Sequence, residues 1–387
     1  MKAFTEYSKA VLCIILAVLM LASTVSCGTE GTEKEDLTTT KTPEKEDDIV
    51  INTYERSTVR LNKSAEGIKI LGVRNLKAGA AINADWTCSG VEFYADCEGT
   101  LTLSVASTTP CYYRVYVDGE PYMNGNTPYF TVDQTTKINV ENIERGEHLF
   151  RFVKATGYTL AKSTIFSVTL NGLISKNAPA DNDLYLEFVG DSICCGWGVI
   201  PDAKGEYNGT YQSQDGTLAY PYLISTALGA DYSITALSGQ GLLCGNPGMT
   251  IGYNYACHAK NSDDEYDFER KPDAVIINIG TNDYSQREKL GITEQDFLNS
   301  YKSFLTNVRA KNGEDCKIIL VYNVMNDTFA ASIINAVRSM GGEDAGYYLY
   351  RAQRTKRERG NSHPSQGENV EYAENIGNYI KEVLKIQ

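Results

Sequence analysis

Two rhythms of apolar and polar residues divide the chain. From about residue 49 to 175 the two kinds alternate in short runs. The segments 90–97, 100–107, 112–120, 136–141, 148–156 and 163–172 each read as half-buried strands. Turn signals such as Asp118-Gly119 and Asn171-Gly172 punctuate them. No helix-period stretch interrupts the series, so it predicts an all-β sandwich.

The rhythm changes near 176–183. Beyond it, continuous apolar strands at 184–190, 231–239, 273–283 and 316–324, with a weaker one at 347–352, alternate with helical stretches. Helices are expected over 218–229, 293–313, 326–342 and 368–386. The second of these has Thr293 and Asp296 at capping spacing and Gly313 at its stop. Alternating strands and helices predict a parallel sheet covered on both faces. Ligands of such sheets bind at the carboxyl ends of the strands.

The start of the chain follows neither rhythm. Lys2 and Lys9 precede the apolar run 11–22, which is short for a membrane span and suits a signal-peptide core. A small residue before Cys27 resembles a bacterial lipoprotein signal, although Thr24 stands where leucine is more usual. Residues 28–48 are charged and nearly devoid of apolar side chains, and read as a disordered acidic linker. The expected organisation is a signal segment over 1–27, the linker over 28–48, a β domain over 49–175 and an α/β domain over 183–387. A secreted or cell-surface lipoprotein follows, touching the membrane only through a lipid at Cys27.

Composition narrows the partners. A formal charge of −13 argues against nucleic acid. The 26 tyrosines outnumber 11 Phe and 2 Trp, which suits surface strands and, secondarily, carbohydrate surfaces. Cys13 and Cys27 belong to the signal region, and the other cysteines show no zinc spacing. Export would permit disulfides, whose pairing the spacing does not give. There is no His-x-x-x-His, no carboxylate cluster at ligand spacing and no phosphate-cradling glycine loop, so neither metal nor cofactor is expected. A monomer is expected.

Three polar motifs fall at the expected strand ends. Gly190-Asp191-Ser192 follows the first strand, Ser238-Gly239-Gln240-Gly241 the second and Gly280-Thr281-Asn282-Asp283 the third. His363 lies before the last helix. A serine hydroxyl is a poor nucleophile until a base takes its proton, and an imidazole titrates in the range that lets it take and return one. A tetrahedral oxyanion needs fixed donors. The N–H of Ser192, that of Gly239 and the Asn282 amide would supply them, and losing one such donor costs about 10²–10³-fold in rate. Asp191 would brace the nucleophile loop. The Gly-x-Ser-x-Gly signature of α/β-hydrolases is absent around Ser192.

On these motifs the segment 184–387 resembles the SGNH hydrolase superfamily, also called GDSL esterases. The resemblance implies a three-layer flavodoxin-like fold, Ser192 as nucleophile, Gly239 and Asn282 as oxyanion donors and His363 as base. Gly241 competes with Gly239 for the glycine role. "GDSICCGWGV" and the upstream "YYRVYVDGE" and "GEHLFRFVKATGYT" are more specifically similar to carbohydrate esterase family two. That family implies a jelly-roll sandwich before the catalytic domain and deacetylation of plant polysaccharides such as xylan, mannan or glucomannan.

The chain departs from the superfamily at Gly360, where many members carry an aspartate three residues before the base. Losing that acid leaves the imidazole to be held another way. A backbone carbonyl near Gly360 or Asn361, the side-chain oxygen of Asn361, or a carboxylate from a distant loop could do so. Trp197, five residues after the nucleophile, either stacks on a sugar ring or packs under the loop. His258 lies in a long loop over 244–268 that is expected to overhang the cleft, a candidate for substrate contact. His148 reads as a surface residue at a strand start. Two alternatives stay open: a surface glycan-binding protein that has lost catalysis, and an esterase acting on peptidoglycan acetyl groups.

Overall fold

A computed structural model describes residues 54–74, 81–201, 209–245, 247–256, 265–325, 329–353 and 363–387. The signal segment, Cys27, the acidic linker, His258, Gly360 and Asn361 lie outside the described residues. Thr53–Gln387 forms one compact unit.

Its first part is an antiparallel sheet. The strands are β1 (Arg56–Arg60), β2 (Lys69–Leu71), β3 (Ile82–Asn83), β4 (Gly90–Val117), β5 (Glu120–Pro121), β6 (Phe130–Lys154) and β7 (Ser163–Ile174). β4 pairs with β6 along nearly its whole length, β7 flanks β4, and β1 flanks β7. Alternate residues of β4, such as Leu101, Leu103 and Val105, are fully buried in one core with Phe93, Phe150 and Phe152. Each such side chain contributes about 1.5–3 kcal/mol by leaving water.

Several expected strand breaks are not breaks. The three segments read over 90–120 fuse into β4, and those over 136–156 fuse into β6. The would-be turns are register shifts, between Cys97 and Gly99, Gly99 and Leu101, and Ser107 and Cys111. Gly99 stands at φ +79°, which lets one strand kink without ending. Asn171-Gly172 is likewise no turn. Gly172 lies inside β7, and a Cβ there would stand 2.1 Å from the Asp96 carbonyl oxygen. Asp118-Gly119 does make the expected hairpin between β4 and β5, with φ of 52° and 85°.

The second part is a five-stranded parallel sheet: β8 (Tyr185–Gly190), β9 (Asp231–Ala236), β10 (Ala274–Asn278), β11 (Lys317–Tyr322) and β12 (Tyr347–Arg351), in the order β12-β11-β10-β8-β9. This is the flavodoxin-like 2-1-3-4-5 arrangement, whose switch point lies between its first and third strands, here β8 and β10. Successive side chains alternate between two cores. Phe188, Ile276 and Ile319 face one with α1 (Tyr220–Ala227). Val189, Ile277 and Leu320 face the other.

After the short α2 (Met249–Gly252) come α3 (Thr281–Leu290) and α4 (Glu294–Asn312). Then follow α5 (Ala330–Ser339) and α6 (Gln366–Leu384). α6 joins α1 in the first core, and α4 and α5 fill the second. α4 buries Phe297, Tyr301, Phe304, Leu305 and Val308, one stripe at helical spacing, and carries the expected Thr293–Asp296 capping box. α3 was not expected. The strand read over 273–283 stops at Asn278, Gly280 turns the chain at φ +125°, and the polar run 281–290 coils up to Gly291.

The two parts interlock. Arg74 reaches under the parallel sheet to Glu187 at 3.0 Å and donates to the Tyr253 carbonyl. Trp86 Nε1 donates to the Ala256 carbonyl, and Tyr232 Oη to the Cys88 carbonyl. Gly216 N–H donates to Ala155 O at 2.8 Å, beside the nucleophile turn. Cys88, Cys97, Cys111, Cys194, Cys195, Cys244 and Cys316 are buried free thiols.

Candidate active site

Ser192 sits just beyond β8, at the carboxyl edge of the sheet and beside the switch point. The chain curls tightly there: Cys195 N–H donates to Asp191 O at 3.2 Å and Trp197 N–H to Ser192 O at 3.0 Å. Gly196 and Gly198 adopt φ of 69° and 64° to complete the reversal. Gly190 admits no side chain, because a Cβ would lie 2.3 Å from Cys194 Sγ. The hydroxyl is 2.8 Å from His363 Nε2, although 171 residues separate the two in sequence. His363 reaches it from the segment entering α6, whose Ser365–Glu368 capping box fixes the helix start.

The expected oxyanion donors differ in what they bond to here. Gly239 stands at φ +81°, and a Cβ there would meet no atom within 4 Å. Neither its N–H nor that of Ser192 donates to an acceptor among the described residues. Gly241, the competing glycine, is otherwise engaged. Its N–H donates to Cys244 O at 3.0 Å, and a Cβ would lie 2.4 Å from the Asp283 carboxylate. The geometry therefore favours Gly239 over Gly241 as the open donor. Asn282 Nδ2 donates to Asp191 Oδ2 at 3.1 Å and to the Gln240 carbonyl at 2.8 Å. An oxyanion would take or share the hydrogen now given to Asp191, the longer of the two bonds.

Sequence reasoning assigned no role to three residues that hold the loops around the site. Asp283 is fully buried and accepts three backbone N–H bonds, from Leu242, Leu243 and Cys244, at 2.8–3.2 Å. Such a nest stabilises a carboxylate. Gln240 donates from its side chain to the carbonyls of Gly241, Cys244 and Pro247. Gln214 bridges the two parts of the molecule: its Oε1 accepts from Gly157 N–H at 2.9 Å and its Nε2 donates to Cys195 Sγ at 3.1 Å. Asp283 closes the motif that contains Asn282, and Gln240 lies between the two candidate glycines. Gln214 carries no local signal. Replacing it with leucine strands the buried Gly157 N–H and is expected to destabilise the protein by about 1–3 kcal/mol in urea unfolding. A change within error would show that the bridge carries no weight.

Asp191 braces the turn as expected, its Oδ1 accepting Ile193 N–H at 3.0 Å. Burial, with the Asp283 carboxylate also acting against ionisation, pushes its carboxyl up to about 7. A carboxyl raised in the folded state favours folding most below its unfolded pKa, and that contribution is lost as pH rises through the folded value. Asp191→Asn, which cannot ionise, is therefore expected to gain stability relative to wild type between about pH 4 and 7 and to level off above. Melting temperatures of both proteins across that range test this, and a difference independent of pH contradicts it.

The remaining candidates divide. Trp197 is half-buried against the core shared by α1 and α6, and its indole lies against Gly209, where a Cβ would be 2.6 Å from the ring. His148 lies in β6, far along the sheet, and its Nδ1 pairs with Asp118 Oδ2 at 2.7 Å, which raises the imidazole above its ordinary range. A cavity of about 310 Å³ lined by Lys69, Arg74, Asp231 and Arg270 lies at the amino ends of β8 and β9, the edge opposite Ser192. Asp231 there pairs with Lys69 at 2.7 Å and with Arg270 at 2.6 Å. Among the described residues no group of three His, Cys, Asp or Glu side chains is placed to hold a metal ion.

Comparison with known proteins places these features in context. Residues 188–362 match the GDSL-like Lipase/Acylhydrolase family. A cellulase/esterase of Acetivibrio thermocellus is 29% identical over 241 residues, 60% of this chain and 28% of that protein. An acetylxylan esterase/glucomannan deacetylase of Cellvibrio japonicus is 24% identical over 216 residues, 52% of this chain and 60% of that protein. The chain thus spans about a quarter and three fifths of these two relatives. The structure of a family two carbohydrate esterase from Clostridium thermocellum in complex with cellohexaose superposes with a TM-score of 0.73 at 24% identity, covering 82% of this chain and 99% of that one.

Proposed function

We propose that this chain, which carries a GDSL-like lipase/acylhydrolase domain over residues 188–362, is a serine esterase removing O-acetyl groups from plant polysaccharide. One observation carries the reading: Ser192 Oγ and His363 Nε2 stand 2.8 Å apart at the carboxyl edge of the parallel sheet. The relatives named cellulase/esterase and acetylxylan esterase/glucomannan deacetylase support the substrate class.

The chemistry follows from the placement. His363 Nε2 takes the hydroxyl proton as Ser192 Oγ bonds to the acetyl carbonyl carbon. The N–H groups of Ser192 and Gly239 and the Asn282 amide receive the negative charge that forms on the carbonyl oxygen. The ester C–O bond to the sugar then breaks, and His363 passes its proton to the departing sugar oxygen. Water, deprotonated by the same imidazole, attacks the acetyl-serine, and acetate leaves. The β part would be a jelly roll that buttresses the nucleophile turn through Gln214, and the protein would act outside the cell, tethered through Cys27.

The test is acetate release from acetylated xylan and acetylated glucomannan by the purified protein. Release from either polymer supports the reading. Inertness on both, together with inertness on 4-nitrophenyl acetate, overturns it.

A further inference from the structure

We propose that Tyr112, Tyr129 and Tyr211 form a sugar-binding subsite beside the nucleophile turn, taking a pyranose ring of the polysaccharide a few units from the acetylated one. The proposal rests on the esterase reading and extends it to residues with no assigned role.

The three rings come together from both parts of the molecule. Tyr112 lies in β4 and Tyr129 just before β6, and their rings stack at 4.6 Å and 18°. Tyr211 opens a short helical turn, Tyr211–Ser213, in the parallel-sheet part and meets Tyr112 edge-on at 5.1 Å and 72°. All three are half-buried.

The group is rigid where it should support and free where it should bind. Tyr129 Oη donates to Asp215 Oδ2 at 2.8 Å. Asp215 is fully buried and is itself held by Thr217 N–H at 2.8 Å, the Thr217 hydroxyl at 2.6 Å and Arg114 at 3.5 Å. That ring cannot swing. The hydroxyls of Tyr112 and Tyr211, by contrast, have no protein partner among the described residues. A fixed aromatic wall with free hydroxyls complements a pyranose, which offers apolar C–H faces and a rim of hydroxyls. Rings serving only to fill the seam between the two parts would not need to keep two half-open phenols.

Position links the group to the reaction. Asp215 N–H donates to Gly196 O at 3.2 Å and Ile200 N–H to Ser213 O at 3.1 Å, so the loop bearing Tyr211 is stitched to the turn that follows Ser192. Gly209, two residues before Tyr211, lies against the Trp197 indole. The loop that packs on Trp197 thus carries Tyr211 to the Tyr112–Tyr129 stack.

The experiment compares Tyr112→Ala, Tyr211→Ala and the double Tyr112→Phe/Tyr211→Phe variant on acetylated xylan or glucomannan and on 4-nitrophenyl acetate. Each alanine variant is expected to lose about tenfold in kcat/KM on the polymer while staying within about twofold on the aryl acetate, the size of one well-placed aromatic contact. The phenylalanine double keeps the stacking and is expected to lose less. Equal losses on both substrates would reduce the cluster to a structural role and sink the proposal, as would unchanged polymer kinetics. Calorimetric binding of xylo-, manno- and cello-oligosaccharides to Ser192→Ala separates the two readings. If the wild type is inert on every acetyl ester but Tyr112→Ala weakens this binding, the subsite stands and the esterase reading falls. If neither alanine change weakens binding, the subsite falls whatever the esterase does.

Discussion

Ser192→Ala is expected to lower kcat on 4-nitrophenyl acetate by about 10⁴–10⁶-fold while leaving the fold intact. The change removes one oxygen from a side chain that is 5% exposed and whose hydroxyl is bonded to His363. The tight turn around it is set by backbone bonds from Cys195 and Trp197 and by the Asp191 carboxylate, none of which needs the hydroxyl. Stability should therefore shift by about 1 kcal/mol at most, the net worth of one hydrogen bond. What survives is the stabilisation by the oxyanion donors, about 10³-fold over water. The check is kcat beside a thermal melt. A variant that melts like wild type and keeps more than a tenth of its rate would mean that Ser192 is not the nucleophile.

His363→Ala is expected to lose about 10⁴-fold or more, because without a base the hydroxyl stays protonated as it attacks. The double variant is the sharper test. If Ser192 and His363 act as one unit, removing both costs no more than removing the worse of the two, as groups acting together are grossly non-additive. Losses that multiply would mean the two side chains act independently, and the 2.8 Å contact would then be incidental to the chemistry. Both single variants and the double should be assayed on the same substrate, with folding checked by circular dichroism.

How far the chain could be read depended on where the information lies. Strands of the parallel sheet were legible because both faces are buried, which makes them continuous apolar runs such as 316–324, observed as Lys317–Tyr322. α4 was legible because its buried stripe repeats at helical spacing and its cap residues are local. α3 was not, because Thr281–Leu290 is polar almost throughout; the Gly280 turn and the Gly291 stop mark its limits, and periodicity says nothing. In the antiparallel sheet Asn171-Gly172 reads as a turn but lies inside β7, and the break expected near Gly99 is a register shift. A glycine at positive φ looks the same in sequence whether the chain reverses or kinks, and only the pairing of β4 with β6 decides.

The candidate site divides along the same line. Ser192, Gly239, Asn282 and His363 were found from motif order, since each lies at a sheet edge or a helix start that local pattern locates. The choice between Gly239 and Gly241 needed the third dimension: the Asp283 carboxylate fills the space beside Gly241 and leaves Gly239 open. Gln214 and the tyrosine cluster arise from contacts between segments about a hundred residues apart or fewer, such as Arg114 with Asp215, and no local pattern announces such a meeting.

The measurement that tests the central claim most directly is labelling with a small fluorophosphonate, followed by peptide mass spectrometry of wild type and His363→Ala. The account predicts one phosphonyl group per wild-type chain, carried by the peptide holding Ser192, and labelling of His363→Ala slowed by about 10³-fold or more. No label on Ser192, or equal labelling of the two proteins, would contradict it.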